Sequence, residues 1–191
     1  MRRHWILGGC LIFVLSLPAC QEKISDPTRD ANAQGGAQVG TDFPGNKEGA
    51  KALLLQFLQS GVDKAALTKK LRPTSRDYRT VFKGVTAKKA EAGYQAPWDQ
   101  GKIIIRGKPG QTELLVWSAT TQELQKGTGD SGSFPGGYAK IASNFKEGLT
   151  FYRFKFVKPG ESLGFAWDGL IFVNGHWVIF PKPWRVLLPS S

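Results

Sequence analysis

The sequence contains few of the residues that most enzymes and metal proteins use for their chemistry. Only two histidines and two cysteines occur in 191 residues, and His4 and Cys10 both lie near the N-terminus. His176 is the one histidine in the rest of the chain, so a zinc site there would have to rely on carboxylates. Acidic residues are scattered without the spacing of a calcium loop, and no glycine-rich dinucleotide motif or Walker loop occurs. The sequence therefore predicts no metal site and no cofactor.

Residues 2–20 have the pattern of an export signal. Arg2-Arg3 precedes an apolar run from Trp5 to Leu17 that is too short for a committed membrane span. The following Leu17-Pro18-Ala19-Cys20 resembles the lipobox of bacterial lipoproteins. The resemblance implies cleavage between Ala19 and Cys20 by the lipoprotein signal peptidase, and acylation of Cys20 with fatty acids such as palmitate. An ordinary signal peptide with an accidental cysteine and an uncleaved N-terminal anchor helix remain alternatives.

Cleavage before Cys20 determines which reactive groups the mature protein keeps. Cys10 leaves with the signal and Cys20 is consumed as a thioether, so no free thiol and no disulfide remain in an oxidising compartment. The mature domain must therefore be stable by packing alone. Gln21 differs from the aspartate that resembles an inner-membrane retention signal. This favours the outer membrane, facing the periplasm, if the organism is Gram-negative.

Three segments follow from these patterns. Residues 1–19 are the predicted signal peptide. Residues 20–46 lack apolar periodicity and are typical of a flexible tether, with a reach of roughly 25–30 Å. Residues 47–191 form one predicted domain, long enough to bury a sufficient core.

The C-terminal residues predict a meander of three antiparallel strands. Asn174-Gly175 is the strongest turn signal, and a two-residue type I′ turn there places Val173 opposite His176. Pro159-Gly160, at the centre of a four-residue turn, predicts three further cross-strand pairs: Phe156 with Leu163, Phe154 with Phe165, and Tyr152 with Trp167.

Upstream of the meander, apolar periodicity changes from helical to alternating. It predicts helices over 47–60, over 64–71 with Asp63 as N-cap, and from Thr74 or Ser75 to about Ala92. Strands are predicted over 102–106 and 112–118, followed by a helical turn over 120–126, an irregular loop over 127–137 and a short helical stretch over 138–145.

The predicted class is α+β, with N-terminal helices packed on one face of a curved, mainly antiparallel sheet of about five strands. Over residues 47–188 the element order resembles that of NTF2-like and cystatin-like folds. This resemblance implies a pocket between sheet and helices, in folds that serve both enzymes and binding proteins.

Positive charge is concentrated in one part of the chain. Residues 63–108 hold twelve Lys and Arg against four Asp and Glu, and Arg76, Arg79 and Lys83 share one side of the third predicted helix. Together with Arg72 they form a predicted basic face. Candidate partners are anionic lipids, anionic glycans and an acidic protein, and export argues against nucleic acid. The alternative is a solvated face that only increases solubility.

A small-ligand pocket is the second hypothesis, and an enzyme is the third. Charged residues within apolar strand patterns, together with an aromatic residue, are the candidate ligand-binding groups: Arg106, Arg153, Trp167, Asp168 and His176. An enzyme would use His176 with Asp168. Gly129-Asp130-Ser131-Gly132 resembles the nucleophile motif of trypsin-like proteases, but no upstream histidine survives maturation and the domain is too short for two barrels. The sequence therefore favours a non-enzymatic binding or assembly domain.

Overall fold

The computed structural model describes residues 43–189. The predicted signal peptide (1–19), the predicted lipidation site Cys20 and residues 20–42 of the predicted tether lie outside the described residues. Residues 43–46, also predicted as tether, instead belong to the fold. The indole N–H of Trp177 donates to the carbonyl of Phe43 at 3.1 Å, and the Asn46 side chain accepts from the backbone of Gly49 to cap the first helix.

Seven α-helices and four strands occur among the described residues. The helices are α1 (Lys47–Leu55), α2 (Lys64–Lys69), α3 (Ser75–Val81), α4 (Gly84–Asp99), α5 (Thr121–Lys126), α6 (Gly137–Ile141) and α7 (Pro183–Leu187). The strands are β1 (Glu113–Thr120), β2 (Thr150–Val157), β3 (Gly164–Val173) and β4 (His176–Ile179). Short 3-10 turns lie at Gln56–Leu58, Gly129–Ser133 and Ala142–Asn144.

The strands form one antiparallel sheet in the order β1-β2-β3-β4, so the predicted α+β class is confirmed. The predicted strand over 102–106 was wrong. That segment is extended, but the Ile105 amide donates to the Thr68 hydroxyl at 2.9 Å, and the Arg106 carbonyl accepts from the Trp167 indole at 3.1 Å. Ile103 and Ile105 are buried without pairing in a sheet. Alternating burial therefore does not by itself identify a strand.

The β3–β4 hairpin has the predicted register. Asn174 and Gly175 have φ values of 53° and 84°, as a type I′ turn requires. Val173 lies opposite His176, and Phe172 lies opposite Trp177. This turn is encoded locally, because asparagine and glycine tolerate the left-handed conformation better than other residues.

The β2–β3 register differs from the prediction. Phe156 lies opposite Phe165 instead of Leu163, because the connection is longer than a four-residue turn. A bulge follows, in which Asp168 and Gly169 both stand opposite Arg153. Gly169 has φ +81°, and a Cβ there would lie 2.0 Å from the carbonyl oxygen of Phe180.

The third predicted helix is in fact two helices. α3 ends at Val81, Phe82 is extended and forms an isolated bridge with Phe145, and α4 begins at Gly84 with φ +48°. A tertiary contact thus overrides helical periodicity. Val85, which would share the buried face with Tyr78 if the helix were continuous, is 85% exposed.

Helices contact both faces of the sheet, whereas the sequence predicted helices on one face only. Phe151 of β2 packs against Tyr138 of α6, with ring centroids 6.0 Å apart. The next residue, Tyr152, faces the other way and packs against Trp177, which binds Phe43 just before α1. Most of the largest fully buried side chains are aromatic, so the rings chiefly fill the core: Trp177, Tyr138, Phe57, Phe82, Phe145, Phe151, Phe154, Phe156 and Phe180.

Candidate functional site

The predicted basic face is an exposed surface along α3 and the turn that follows it. Arg72, Arg76, Arg79 and Lys83 are all exposed. Only Arg72 forms an ion pair within residues 43–189, at 2.7 Å from Asp99. Because the two side chains are 40% and 51% exposed, this pair contributes little to stability. Asp99 offsets the charge of Arg72 but not the charges of Arg76, Arg79 and Lys83.

Burial on the opposite side of α3 fixes the orientation of this face. Tyr78 and Val81 are buried, and Tyr78 packs edge-on against Phe180 at 5.1 Å. Since residues three or four apart share a side of a helix, Arg76 and Arg79 lie together on the side away from the core. The basic face is therefore presented by a helix whose rotation is set by packing.

A buried carboxylate connects α3 with the β3–β4 turn. Asp77 accepts from the backbone and hydroxyl of Thr74, both at 2.7 Å, and so forms the capping box of α3. It also accepts from the Asn174 amide at 2.6 Å and lies 3.2 Å from His176 Nε2. Burial raises the pKa of Asp77, but the hydrogen bonds from Asn174 and Thr74 and the charge of His176 outweigh it and lower the pKa.

Asp168 has a similar connecting role elsewhere in the domain. It is buried, and its Oδ1 accepts from the backbone amide of Lys182 at 2.7 Å and from the Tyr138 hydroxyl at 3.1 Å. Burial raises the pKa of Asp168, although these hydrogen bonds and the charges of Lys182 and Arg153 act against it. Asp168 thus fixes the segment before α7 to the bulge in β3.

Arg153 contacts the turn at Gly129–Ser133. Its guanidinium carbon is 5.5 Å from the centroid of the Trp117 ring, and its Nη1 donates to the Ser133 carbonyl. Its Nε is buried without a hydrogen-bond partner in the described part of the chain. Aromatic rings pack beside Asp168, since Tyr138, whose hydroxyl donates to it, contacts both Phe134 and Trp184.

The other predicted pocket residues contact different groups, although Trp167 directly precedes Asp168 in β3. Arg106 is exposed, and its carbonyl accepts from Trp167, whose ring packs against Phe165 at 5.8 Å. His176 has Asp77 as its acidic partner, not Asp168. Asp77 and Asn174 were missed as a site by sequence reasoning. The Thr74-x-x-Asp77 spacing was the one signal that could have identified the cap.

Two adjoining cavities open between α2, α3 and α4. The first has a volume of about 450 Å³ and the second about 410 Å³, and both are lined by Arg72 and Trp98. Trp98 is 8% exposed, and its indole N–H has no hydrogen-bond partner among residues 43–189. Lys69 and Asp63 border the first cavity, and Glu91 borders the second. No sequence pattern indicated this groove.

In the described part of the chain, no group of three or more His, Cys, Asp or Glu could hold a metal ion. No helix within residues 43–189 is long and apolar enough to cross a membrane. The chain matches no protein-family model, no curated protein and no solved structure.

Proposed function

We propose that this chain is a lipid-anchored protein of the cell envelope with a non-enzymatic domain that binds an anionic surface. The observation that carries the proposal is the basic face: four exposed cations, three of them without an ion pair within residues 43–189. The lipobox-like Cys20 and the tether would hold this face within reach of a membrane. Each Lys or Arg close to an anionic bilayer contributes about 1 kcal/mol of attraction.

The turn between α3 and α4 supports a membrane surface as the partner. Val85, 85% exposed, follows Lys83 and precedes Lys88, which is also exposed. An apolar side chain between cations suits the boundary between lipid headgroups and acyl chains. Anionic glycans and an acidic protein are the competing partners, and a glycan would leave Val85 without an apolar contact.

A reconstitution experiment tests the proposal. The full chain is placed in nanodiscs of phosphatidylglycerol or of phosphatidylcholine, and hydrogen exchange is followed at the backbone amides of residues 83–89. We expect slower exchange in phosphatidylglycerol at low salt and no difference at high salt, because about 1 M salt shortens the screening length to about 3 Å.

A matched pair of variants separates the basic face from total charge. Arg76, Arg79 and Lys83 are changed to Glu in one variant, and the exposed Lys126, Lys140 and Lys146 in the other. Both reverse three charges, so both have the same net charge. The proposal requires that only the first abolish the slower exchange. Equal loss in both variants would mean that binding depends on net charge and not on this face.

A second candidate function is small-ligand binding in the groove between α2 and α4. It rests on the two adjoining cavities and on the indole N–H of Trp98, which is unpaired within residues 43–189. The mixed charges of the groove suit a polar, neutral or zwitterionic molecule better than a polyanion. A thermal shift of the full chain by such a molecule that persists at high salt, and that is lost in Arg72→Ala, would support it.

A further inference from the structure

The two edges of the sheet are protected very differently. β4 forms one edge and is only four residues long, and its Ile179 amide donates to the Leu71 carbonyl at 3.0 Å. β1 forms the other edge and is eight residues long. Its pairing with β2 is continuous over all eight positions without a bulge, and it contains neither lysine nor proline. Apart from Glu113 at its start, it therefore lacks the lysine, proline and bulge that commonly prevent an edge strand from pairing with another chain.

The hydrogen-bond pattern shows which backbone groups of β1 face outward. The Thr121 amide donates to the Leu149 carbonyl at 2.9 Å, which continues the register in which Thr120 lies opposite Thr150. Bonded and non-bonded pairs alternate in an antiparallel ladder. Leu115, Trp117 and Ala119 therefore bond to β2, and the backbone groups of three other residues point away from it: Leu114, Val116 and Ser118. The Thr120 amide also points away from β2 and donates to the Glu123 carboxylate at 2.7 Å, in agreement with this assignment.

The outward groups of these three residues have no backbone partner in the described part of the chain. Their N–H and C=O groups form a row about 14 Å long, at roughly 3.4 Å per residue. We define Leu114, Val116 and Ser118 as the open edge. An extended segment lying alongside it would gain a ladder of main-chain hydrogen bonds, as in peptide recognition by strand addition.

Side chains beside the open edge indicate what such a segment would carry. A cavity of about 370 Å³ adjoins the start of β1 and is lined by Lys51 and Leu55 of α1 together with Thr112, Glu113 and Leu114. The Glu113 carboxylate accepts from the backbone amide of Gly160 at 3.2 Å. Leu55 is 49% exposed, which provides an apolar contact. Lys51 is exposed and forms no ion pair with residues 43–189. The Lys155 amine lies 5.6 Å from the Trp117 ring on β1.

Charge decides between a second copy of this chain and a different partner. Residues 43–189 contain 22 Lys and Arg against 11 Asp and Glu, a net charge of +11, so two copies repel one another. We propose that the open edge binds an extended, acidic segment of another protein, which adds to the sheet as a fifth strand beside β1. This site uses none of the residues of the basic face and stands independently of the function proposed above.

Synthetic peptides of alternating valine and threonine test the proposal with the full chain in neutral detergent. One peptide carries aspartates at both ends and the other carries lysines. We expect the aspartate peptide to bind about tenfold more tightly at low salt, with the difference shrinking at high salt. Binding should slow hydrogen exchange at the amides of Leu114, Val116 and Ser118, and leave the amides bonded to β2 unchanged.

Proline substitutions test whether main-chain pairing is responsible. Val116→Pro removes an outward N–H without removing a hydrogen bond to β2, so it should abolish peptide binding. Val116→Thr keeps the N–H and the branched side chain and should bind as the wild type does. Ser118→Pro with Ser118→Ala repeats the comparison if Val116→Pro lowers the thermal midpoint of the domain.

Each outcome decides for or against the site. Slower exchange at the open edge that proline removes supports it. Peptide binding that survives both proline variants, or equal binding of the two peptides at low salt, overturns it. The site is also overturned if, without peptide, exchange at the open edge becomes slower as the protein concentration increases and sedimentation shows a dimer. The occupant of the edge is then a second copy of the chain.

Discussion

Asp168 accepts a hydrogen bond from the backbone amide of Lys182 at 2.7 Å and thereby connects the bulge in β3 to the segment that leads into α7. Lys182 has φ +53°, an uncommon conformation for a residue other than glycine. The Tyr138 hydroxyl donates to the same oxygen. A residue that first suggested a ligand contact is thus held by groups of its own chain.

Substitution of Asp168 should therefore lower stability. Asp168→Ala leaves the Lys182 amide and the Tyr138 hydroxyl without their acceptor, and we expect a loss of about 1–3 kcal/mol in the free energy of unfolding. Asp168→Asn keeps an acceptor oxygen at the same position and should cost less. Denaturant titration of both variants measures the difference. A loss in Asp168→Asn as large as that in Asp168→Ala would show that the charge itself is required.

Asp77 should make the domain sensitive to acid. Its pKa in the folded state is lowered by hydrogen bonds from Asn174 and Thr74, which outweigh burial. Its contribution is therefore fully present above the unfolded pKa of about 3.9 and is lost as pH falls through the lower folded value. Unfolding free energies measured from neutral pH down to about pH 2 should show this decline, and Asp77→Asn should reduce its slope. An unchanged slope in Asp77→Asn would contradict the assignment.

Asp168 should contribute to the pH dependence with the opposite sign. Burial raises its pKa in the folded state, so the folded protein retains a proton that the unfolded chain has released. The resulting contribution to the free energy of unfolding is present below the unfolded pKa and is lost as pH rises through the raised folded pKa. Asp168→Asn removes it. The difference in unfolding free energy between wild type and Asp168→Asn should therefore change as pH rises above the unfolded value of about 3.9, and a constant difference would contradict this account.

Two glycines with similar backbone angles should respond differently to alanine. Gly169 has φ +81° and no room for a Cβ beside the Phe180 carbonyl, whereas Gly175 has φ +84° and nothing within 4 Å. Gly175→Ala should cost about 1 kcal/mol for its backbone conformation alone. Gly169→Ala should cost at least about 2 kcal/mol, because the bulge must also shift. Thermal unfolding of the pair measures this, and equal losses would show that the bulge adapts freely.

The comparison of sequence and structure separates local from tertiary determinants. Asn174-Gly175 specifies its turn through two residues, and Asp63 caps α2 through amides two and three positions away, so both could be predicted. The break after α3 could not, because it depends on Phe82 pairing with Phe145, far along the chain. The bulge at Gly169 depends in the same way on the path of Phe180.

Sequence reasoning located the exposed cations of the candidate site but not the contacts of its buried acids. Arg76 and Arg79 follow from helical spacing, which survives the break after α3. The enzyme hypothesis required His176 to pair with Asp168, but His176 lies beside Asp77, because the tight β3–β4 turn brings it against α3. Such pairings depend on packing between elements and leave no periodic trace in the sequence.

The central claim is that the basic face meets an anionic membrane surface. Hydrogen exchange at residues 83–89 of the full chain, compared between phosphatidylglycerol and phosphatidylcholine nanodiscs at low salt, tests it most directly. The account predicts slower exchange in phosphatidylglycerol that disappears at high salt. Identical exchange in the two lipids at low salt would contradict it.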